Sequence, residues 1–305
     1  MAMLRLFSAH NISLERDAVQ KGRYAVAMVH TPPPASDGNG FRLFFDSELT
    51  RPTPYDGDGD YIGMARPRLD RTFRLIERYM PGAHVADIGA SPFYLLDRAL
   101  AAGARQASGV YFAHDAHPLK GCDRIYSRHG SIALHHSNIE DEDLPFADDD
   151  VDVLTACEIL EHCEYFPLRF ANEVRRVLKP GGLLCITVPN VASVANIGKL
   201  LLGQNIYMKY RADPTGRHKH EYTMRQLRAF VDFLGMDMAG AGVLPFVTSH
   251  RALPRLAYRA VAATPVLRRY SPKIYVLARQ PLDKDRTHLT TPPRALFDAV
   301  ESIEA

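Results

Sequence analysis

Apolar residues recur along the chain with two periods, one typical of strands and one typical of helices. The runs HVADIG, ASGVYFA, SIALHHS, VDVLTAC and GLLCITVP predict strands. Helical spacing predicts helices over residues 93–102 and 167–178, and an earlier amphipathic helix that Pro81 and Gly82 close. This alternation is typical of an α/β fold with a doubly wound, mostly parallel sheet. Ligands bind such sheets beyond the carboxyl ends of the strands.

Composition narrows the class of protein. The chain has 305 residues, 46% hydrophobic and 24% charged, with a net charge of +2. These values are typical of a soluble globular protein and give no strong nucleic-acid signature. Four cysteines form no CxxC pair, which favours buried reduced thiols. The first residues contain too short an apolar stretch for a signal peptide, and no run approaches the ~20 residues of a membrane span. We therefore expect a cytoplasmic protein.

The regular pattern covers only part of the chain. Residues 1–62 are rich in Pro, Gly and Asp, and we interpret them as an N-terminal extension with one strand, FRLFF, at 41–45. Residues 63–280 form the predicted domain. Residues 281–305 are expected to be a loosely attached tail with one short helix.

The turn after the first strand is a candidate binding loop. Asp87, Gly89 and Ser91 follow one another in ADIGAS, directly before a predicted helix. A glycine lets the backbone approach a ligand closely, and the first turn of a helix offers free N–H groups. The loop lacks GxGxxG, which argues against an NAD or FAD dehydrogenase. Taken alone, this loop is weak evidence for a cofactor-binding site.

Three later motifs are more specific. LPF-x-D-D, E-x-x-E-H and R-V-L-K-P-G-G occur in this order within residues 137–190. With these motifs, residues 64–280 resemble the class I S-adenosylmethionine-dependent methyltransferases, most closely the small-molecule O-methyltransferase branch that includes the ubiquinone-biosynthesis type. The resemblance implies a seven-stranded Rossmann-like sheet whose last strand, KIYVLARQ, is antiparallel. It also implies methyl transfer from S-adenosyl-L-methionine to a small or lipid/sugar-linked acceptor. The alternative is a methyltransferase-like protein that binds a ligand or partner without catalysis.

The resemblance also implies a cofactor site. Asp87 and Gly89 would hold the methionine part, with Ser91 replacing a second loop glycine. Tyr111 stands where an acid usually grips the ribose, and Asp115 is four residues further on. The remaining contacts would be Asn138 and Ile139 beside the adenine and Glu158 beside the methyl group.

The segment CEILEHC predicts a metal site. On a helical start, Glu158, Glu161 and His162 fall at i, i+3 and i+4 and share one face. The ubiquinone-type relatives use this E-x-x-E-H as a divalent-metal site, and its ligands suit Mg²⁺, Mn²⁺ or Zn²⁺. The alternative is that the acids occupy a favourable first helical turn and that His162 packs or caps.

The segment GRHKHEYTMRQL supplies a further candidate. Thr223 is the expected N-cap of the next helix, and His218 lies in the preceding loop. The resemblance suggests His218 as a general base or as a second metal contact, so that Glu161, His162 and His218 are the candidate catalytic residues. The alternative is an ordinary solvated loop.

Two basic and apolar stretches bear on partners. Residues 191–222 occupy the place of a substrate-covering insertion, and residues 251–273 carry Arg251, Arg255 and Arg259 at helical spacing without any acid. Such a helix could make peripheral contact with an anionic membrane, at the inner face, or with a phosphorylated lipid or sugar. The alternative is a helix that covers the sheet with its arginines in water. A nucleic-acid acceptor is not expected, and the oligomeric state is left open.

Overall fold

The computed structural model describes residues 40–42, 61–112, 122–127, 129–207, 217–245, 252–294 and 296. The strands in these residues are β1 Gly40–Arg42, β2 His84–Ile88, β3 Gln106–Tyr111, β4 Arg124–Ser127, β5 Gly130–His136, β6 Val151–Cys157, β7 Leu178–Pro189, β8 Asp237–Leu244 and β9 Lys273–Arg279. The α-helices are α1 Tyr61–Ile76, α2 Tyr94–Ala101, α3 Leu168–Val177, α4 Val194–Leu201, α5 Met224–Phe233 and α6 Ala252–Ala263. Short 3-10 turns cover Glu77–Tyr79, Leu160–His162 and Arg268–Tyr270.

The described strands form one mixed sheet in the order β1-β4-β5-β3-β2-β6-β7-β9-β8. Strands β5, β3, β2, β6 and β7 pair in parallel, whereas β9 is antiparallel to β7 and to β8. The predicted Rossmann-like α/β class and the antiparallel last strand are thus confirmed. Beyond the seven predicted strands, β1 and β4 extend one edge, and β1 lies where the N-terminal strand was expected.

Two hydrophobic clusters cover the two faces of the sheet. Alternate residues of β7 face opposite sides, so Leu183 belongs to the cluster with Phe73 of α1, and Leu184 to the cluster with Phe170 of α3. All four are almost fully buried. A strand that is covered on both faces needs apolar residues at successive positions, which explains the continuous apolar run GLLCITVP.

A local capping motif sets the start of helix α5. Helix α5 begins after Thr223, whose hydroxyl accepts a hydrogen bond from the Gln226 N–H in a reciprocal capping box, so the predicted N-cap is confirmed.

All four cysteines have free thiols. In the described residues, no helix combines the length and the apolar character needed to cross a membrane.

The described part of the tail after β9 is bound to the domain, unlike the loose extension that the sequence predicted, and the remaining tail residues, with the predicted short helix, lie outside the described residues. Residues 281–294, here named the C-terminal strap, run along α3 and contain no helix. Arg175 donates to the carbonyl oxygens of Asp285 and Thr287, each at 2.6 Å. Asn172 and Leu289 exchange two hydrogen bonds, at 2.7 and 3.1 Å. The strap is held because α3 presents side chains that bond its backbone.

Lys284 offers a direct test of this attachment. Its side chain is 4% exposed, and its ammonium donates to the carbonyl oxygens of Arg176 and Leu178 and pairs with Asp149. Lys284→Ala removes both of these hydrogen bonds and the ion pair with Asp149, and we expect a loss of about 1–3 kcal/mol in the free energy of unfolding. Leu282→Ala, at an 82% exposed position, is the control and should stay within about 0.5 kcal/mol of the wild type. Equal urea midpoints for both variants would contradict this role of Lys284.

Candidate functional site

The parallel strands bring the candidate residues to one edge of the sheet. Because β2, β3, β5 and β6 run in the same direction, their carboxyl ends meet there. A cavity of about 150 Å³ opens at the ends of β2 and β6. Its walls include Arg68 of α1, the turn at residues 89–92, the segment 157–159 and His162. This volume is smaller than the roughly 300–1,000 Å³ of typical small-molecule sites, so it suits only part of a nucleoside-containing ligand.

Asp87 places a carboxyl group at the base of this cavity. The residue is 5% exposed, and its Oδ1 accepts a hydrogen bond of 2.5 Å from the Thr155 hydroxyl. Burial raises the pKa of Asp87 to about 7, and the Thr155 hydrogen bond and the charge of Arg68 only partly oppose that rise. A cationic group in the cavity would hold the carboxylate in its ionised form. The site is therefore suited to a positively charged ligand.

The backbone at Gly89 requires a glycine. Its φ is +70°, and a Cβ there would lie 1.9 Å from the Cδ1 atom of Ile159. The N–H groups of Gly89 and Ala90 both donate to the Val110 carbonyl. Thus the side chain of Ile159, at the end of the neighbouring strand, is the group that excludes a larger residue at 89.

The first turn of α2 faces the same cavity. Ser91, Tyr94 and Leu95 line it, and Phe93 precedes the helix in a left-handed conformation with φ of 64°. The first N–H groups of a helix have no intrahelical acceptor and carry partial positive charge. This end of the cavity therefore favours an anionic group such as a carboxylate.

Three predicted cofactor contacts lie at the same sheet edge but outside this cavity. Tyr111 is 4% exposed, and its ring lies between those of Phe93 and His136, with centroids 6.4 and 6.1 Å away. Asn138 uses its side chain and its N–H within its own turn. Ile139 is half-buried and contacts the core. Their roles stay predictions, and Asp115 lies outside the described residues.

Glu158 departs from the predicted geometry. It has φ of +62°, and only Leu160–His162 form a 3-10 turn, so Glu158 is not on a helix with Glu161 and His162. Its carboxylate instead pairs with Lys273 of β9 and accepts from the Thr187 hydroxyl at 3.2 Å. Burial alone would raise the pKa of Glu158, but Lys273 and Arg68 outweigh burial and lower it. The predicted shared face of the three residues is therefore wrong.

Glu161, His162 and His218 form the cluster that the structure does bring together. One potential ligand atom from each lies within 4.8 Å of the others. Glu161 is fully buried, and neither of its carboxyl oxygens has a hydrogen-bond partner among the described residues. Burial and then the nearby Glu158 raise the pKa of Glu161 well above its ordinary value. A buried carboxyl without partners is costly, and a bound cation would remove that cost.

The two histidines of the cluster are oriented by their Nδ1 atoms. His162 Nδ1 lies 3.2 Å from the Arg217 carbonyl oxygen, and His218 Nδ1 lies 2.8 Å from a carboxyl oxygen of Glu221. These contacts favour Nδ1–H tautomers and leave each Nε2 lone pair available. His218 Nε2 is 4.0 Å from Glu161 Oε1. Burial, and then the nearby His218, lower the pKa of His162, which keeps that imidazole neutral.

Glu221 is the orienting residue that sequence reasoning missed. It is three residues after His218 and its side chain is 6% exposed. The Glu221–His218 spacing was visible in the sequence, but only the folded loop brings the imidazole toward Glu161. That loop is held by the Glu161 carbonyl, which accepts hydrogen bonds from the N–H groups of Lys219 and His220.

Comparisons with known proteins bear on the family of the chain. Residues 95–186 match the family model described as a methyltransferase domain. This part of the chain is therefore similar to a methyltransferase domain. A probable S-adenosylmethionine-dependent methyltransferase of Mycolicibacterium smegmatis is 28% identical over 152 residues. The match covers 48% of this chain and 55% of that protein, so it spans about half of the relative's length. These findings support the class I S-adenosylmethionine-dependent type.

Two solved structures are also similar to this chain. An S-adenosylmethionine-dependent methyltransferase from Mesorhizobium loti has 16% identity and a TM-score of 0.46, covering 71% of this chain and 97% of that one. A second, from Methanosarcina mazei, has 16% identity and a TM-score of 0.48, covering 68% and 98%.

The electrostatics of Asp87 predict a specific pH dependence of stability. The folded-state pKa of Asp87, about 7, lies above its value in the unfolded chain. The contribution of Asp87 to the free energy of unfolding is therefore fully present below pH ~4 and is lost as the pH rises through 7. Asp87→Asn has no carboxyl group at this position and therefore lacks this pH-dependent loss of stability. Between pH 5 and pH 8, the free energy of unfolding should fall by roughly 2–4 kcal/mol less in the variant than in the wild type.

Urea unfolding at both pH values measures the difference. The exposed Asp283→Asn is the matched control and should follow the wild-type profile. A wild-type profile in Asp87→Asn as well would show that Asp87 ionises normally.

Proposed function

We propose that the protein transfers a methyl group from S-adenosyl-L-methionine to a small or lipid/sugar-linked acceptor, at oxygen, as in the ubiquinone-biosynthesis-type branch. The observation that supports this most is the buried carboxyl of Asp87. It faces a cavity formed by a glycine turn and a helix N-terminus, beside the residues that match the methyltransferase domain.

The residues present fit the cofactor's amino-acid end. S-adenosylmethionine carries an ammonium and a sulfonium, and the bound cofactor supplies an electrophilic methyl group. Asp87 would compensate the positive charge, and the first turn of α2 would bind the carboxylate. The nucleoside would lie outside the 150 Å³ cavity, beyond the ends of β3 and β5.

The cluster next to the cavity would activate the acceptor by removing its proton. His162 lines the cavity, and Glu161 and His218 stand beside it. In the absence of an ion, Nε2 of His218 would accept the proton that the acceptor oxygen loses as its new bond to the methyl carbon forms and the carbon–sulfur bond breaks. Glu221 would then stabilise the resulting imidazolium.

The same three residues also fit a divalent cation. Glu161 offers unpartnered buried oxygens, and each histidine has its Nδ1 occupied by an orienting acceptor. A bound ion would supply Lewis acidity that lowers the pKa of an acceptor hydroxyl. In this proposal the ligands are Glu161, His162 and His218, and Glu158 is excluded because Lys273 already pairs with it.

Calorimetry tests the proposed function. Titration with S-adenosylhomocysteine and S-adenosylmethionine should show binding of both, and Asp87→Ala should weaken the binding of S-adenosylmethionine by about tenfold or more, because its cationic end loses a buried carboxylate. Absence of binding by either compound at millimolar concentration would leave the non-catalytic alternative.

The metal site has a test that does not depend on activity. Manganese or zinc should raise the thermal unfolding midpoint of the wild type, since a ligand at 100 times its Kd stabilises by about 2.7 kcal/mol. His218→Ala should remove most of this rise and the metal retained after gel filtration. His220→Ala is the matched control, because His220 lies outside the cluster and contacts Gln226 and Tyr222. The same metal response in both variants would exclude the site.

A further inference from the structure

Exposed apolar side chains are concentrated beside the candidate site. Of the twelve large hydrophobic residues that are exposed in the described part of the chain, eight lie in the segments 191–207 and 252–273. The most prominent are Leu201, Leu202, Val266 and Leu256, with 83, 74, 69 and 66% exposure. Contiguous exposed apolar surface of this kind marks an interaction site rather than ordinary protein surface.

The two segments form one surface. Helices α4 and α6 contact each other, and the turn Arg268–Tyr270 contacts α6. Asn190, at the end of β7, donates from its side chain to the carbonyl oxygens of Arg269 and Ser271. We name the exposed parts of residues 197–202 and 256–269 the α4–α6 face.

The charge of the α4–α6 face has a single sign. Residues 191–207 and 252–273 contain Lys and Arg but no Asp or Glu. Lys199, Arg259, Arg268 and Arg269 are exposed, and none of them forms an ion pair with a described acidic residue. Apolar side chains mixed with unopposed cations are complementary to a bilayer that contains anionic phospholipid.

A second copy of the chain would fit this surface poorly. A two-fold dimer through the α4–α6 face would bring its cations against the same cations of the copy.

The lengths of the two helices fit a position on the surface of a bilayer, since α4 has eight residues and α6 twelve. At ~1.5 Å per residue both are far shorter than the ~30 Å hydrocarbon core of a membrane.

The α4–α6 face borders the candidate site. Lys273 follows the turn Arg268–Tyr270 by three residues and pairs with Glu158 in the cavity wall. Asn190 and Glu158 follow the neighbouring strands β7 and β6, at the same sheet edge. A bilayer in contact with this face would therefore lie next to the mouth of the cavity.

We propose that the α4–α6 face docks the protein on an anionic phospholipid surface. A second step rests on the proposed function: the acceptor is then an amphiphile whose apolar part stays in the bilayer while its polar head enters the cavity. The leucines would insert at the level of the headgroups, and the cations would contact lipid phosphates.

Vesicle sedimentation with the full chain tests the docking. The wild type should bind vesicles of equimolar phosphatidylcholine and phosphatidylglycerol, and should bind phosphatidylcholine vesicles at least about tenfold more weakly. The double variant Leu201→Asp, Leu202→Asp should lose at least about tenfold in partitioning, because two charges replace the inserted leucines. Arg268→Glu, Arg269→Glu should lose a comparable amount and leave little salt dependence.

Leu282→Asp is the matched control. Leu282 is as exposed as Leu201, but it lies beside Gly181 near the start of β7, away from the candidate site. This variant should bind vesicles as the wild type does. Far-ultraviolet circular dichroism and the thermal midpoint establish that every variant is folded.

Three outcomes would overturn the docking. They are no binding of the wild type to the mixed vesicles, equal binding by Leu201→Asp, Leu202→Asp, or lipid-free self-association that this variant abolishes. Titration with S-adenosylhomocysteine in the same preparations separates the two proposals. Vesicle binding without cofactor binding would retain the docking surface and reject the methyl transfer.

Discussion

Asp87, Glu158 and Glu161 bring three carboxyl groups to one end of the sheet, and Arg68 and Lys273 are the cations that face them. The cations favour Glu158, which is ionised and paired, while Asp87 and Glu161 are left with raised pKa values. Burial disfavours the charged form of both groups, and the nearby Glu158 further disfavours the charge of Glu161, so additional positive charge at this end of the sheet would be stabilising. A sulfonium-containing cofactor near Asp87 and a cation near Glu161 would each compensate the charge of one of these carboxylates, at two separate places.

The fold creates this situation through backbone constraints. The parallel strands converge on one edge, so groups that are far apart in sequence become neighbours. The left-handed conformation of Glu158 then turns its carboxylate toward Lys273, away from the 3-10 turn that carries Glu161 and His162. The φ of Glu158 therefore separates the Glu158–Lys273 ion pair from the cluster that contains Glu161 and His162 and offers potential ligand atoms.

Sequence patterns predicted the parts of the molecule that depend on local physics. Apolar runs identified the strands around the core, and Thr223 marked the start of α5. The E-x-x-E-H spacing suggested a shared helical face, which failed because Glu158 has a φ of +62° and the 3-10 turn begins only at Leu160. The pairing of Lys273 with Glu158, the orientation of His218 by Glu221 and the attachment of the C-terminal strap join residues from distant segments. Periodicity carries no information about such contacts.

The sheet order has a consequence for biosynthesis. β9 is the last of the described strands along the chain, yet it lies between β7 and β8, and β8 pairs with no other described strand. While the chain is being made, β7 keeps an open, apolar edge until residues 273–279 leave the ribosome. Nascent chains that stall before this point would expose that edge to aggregation, so the synthesis of β9 governs whether the edge of β7 is covered.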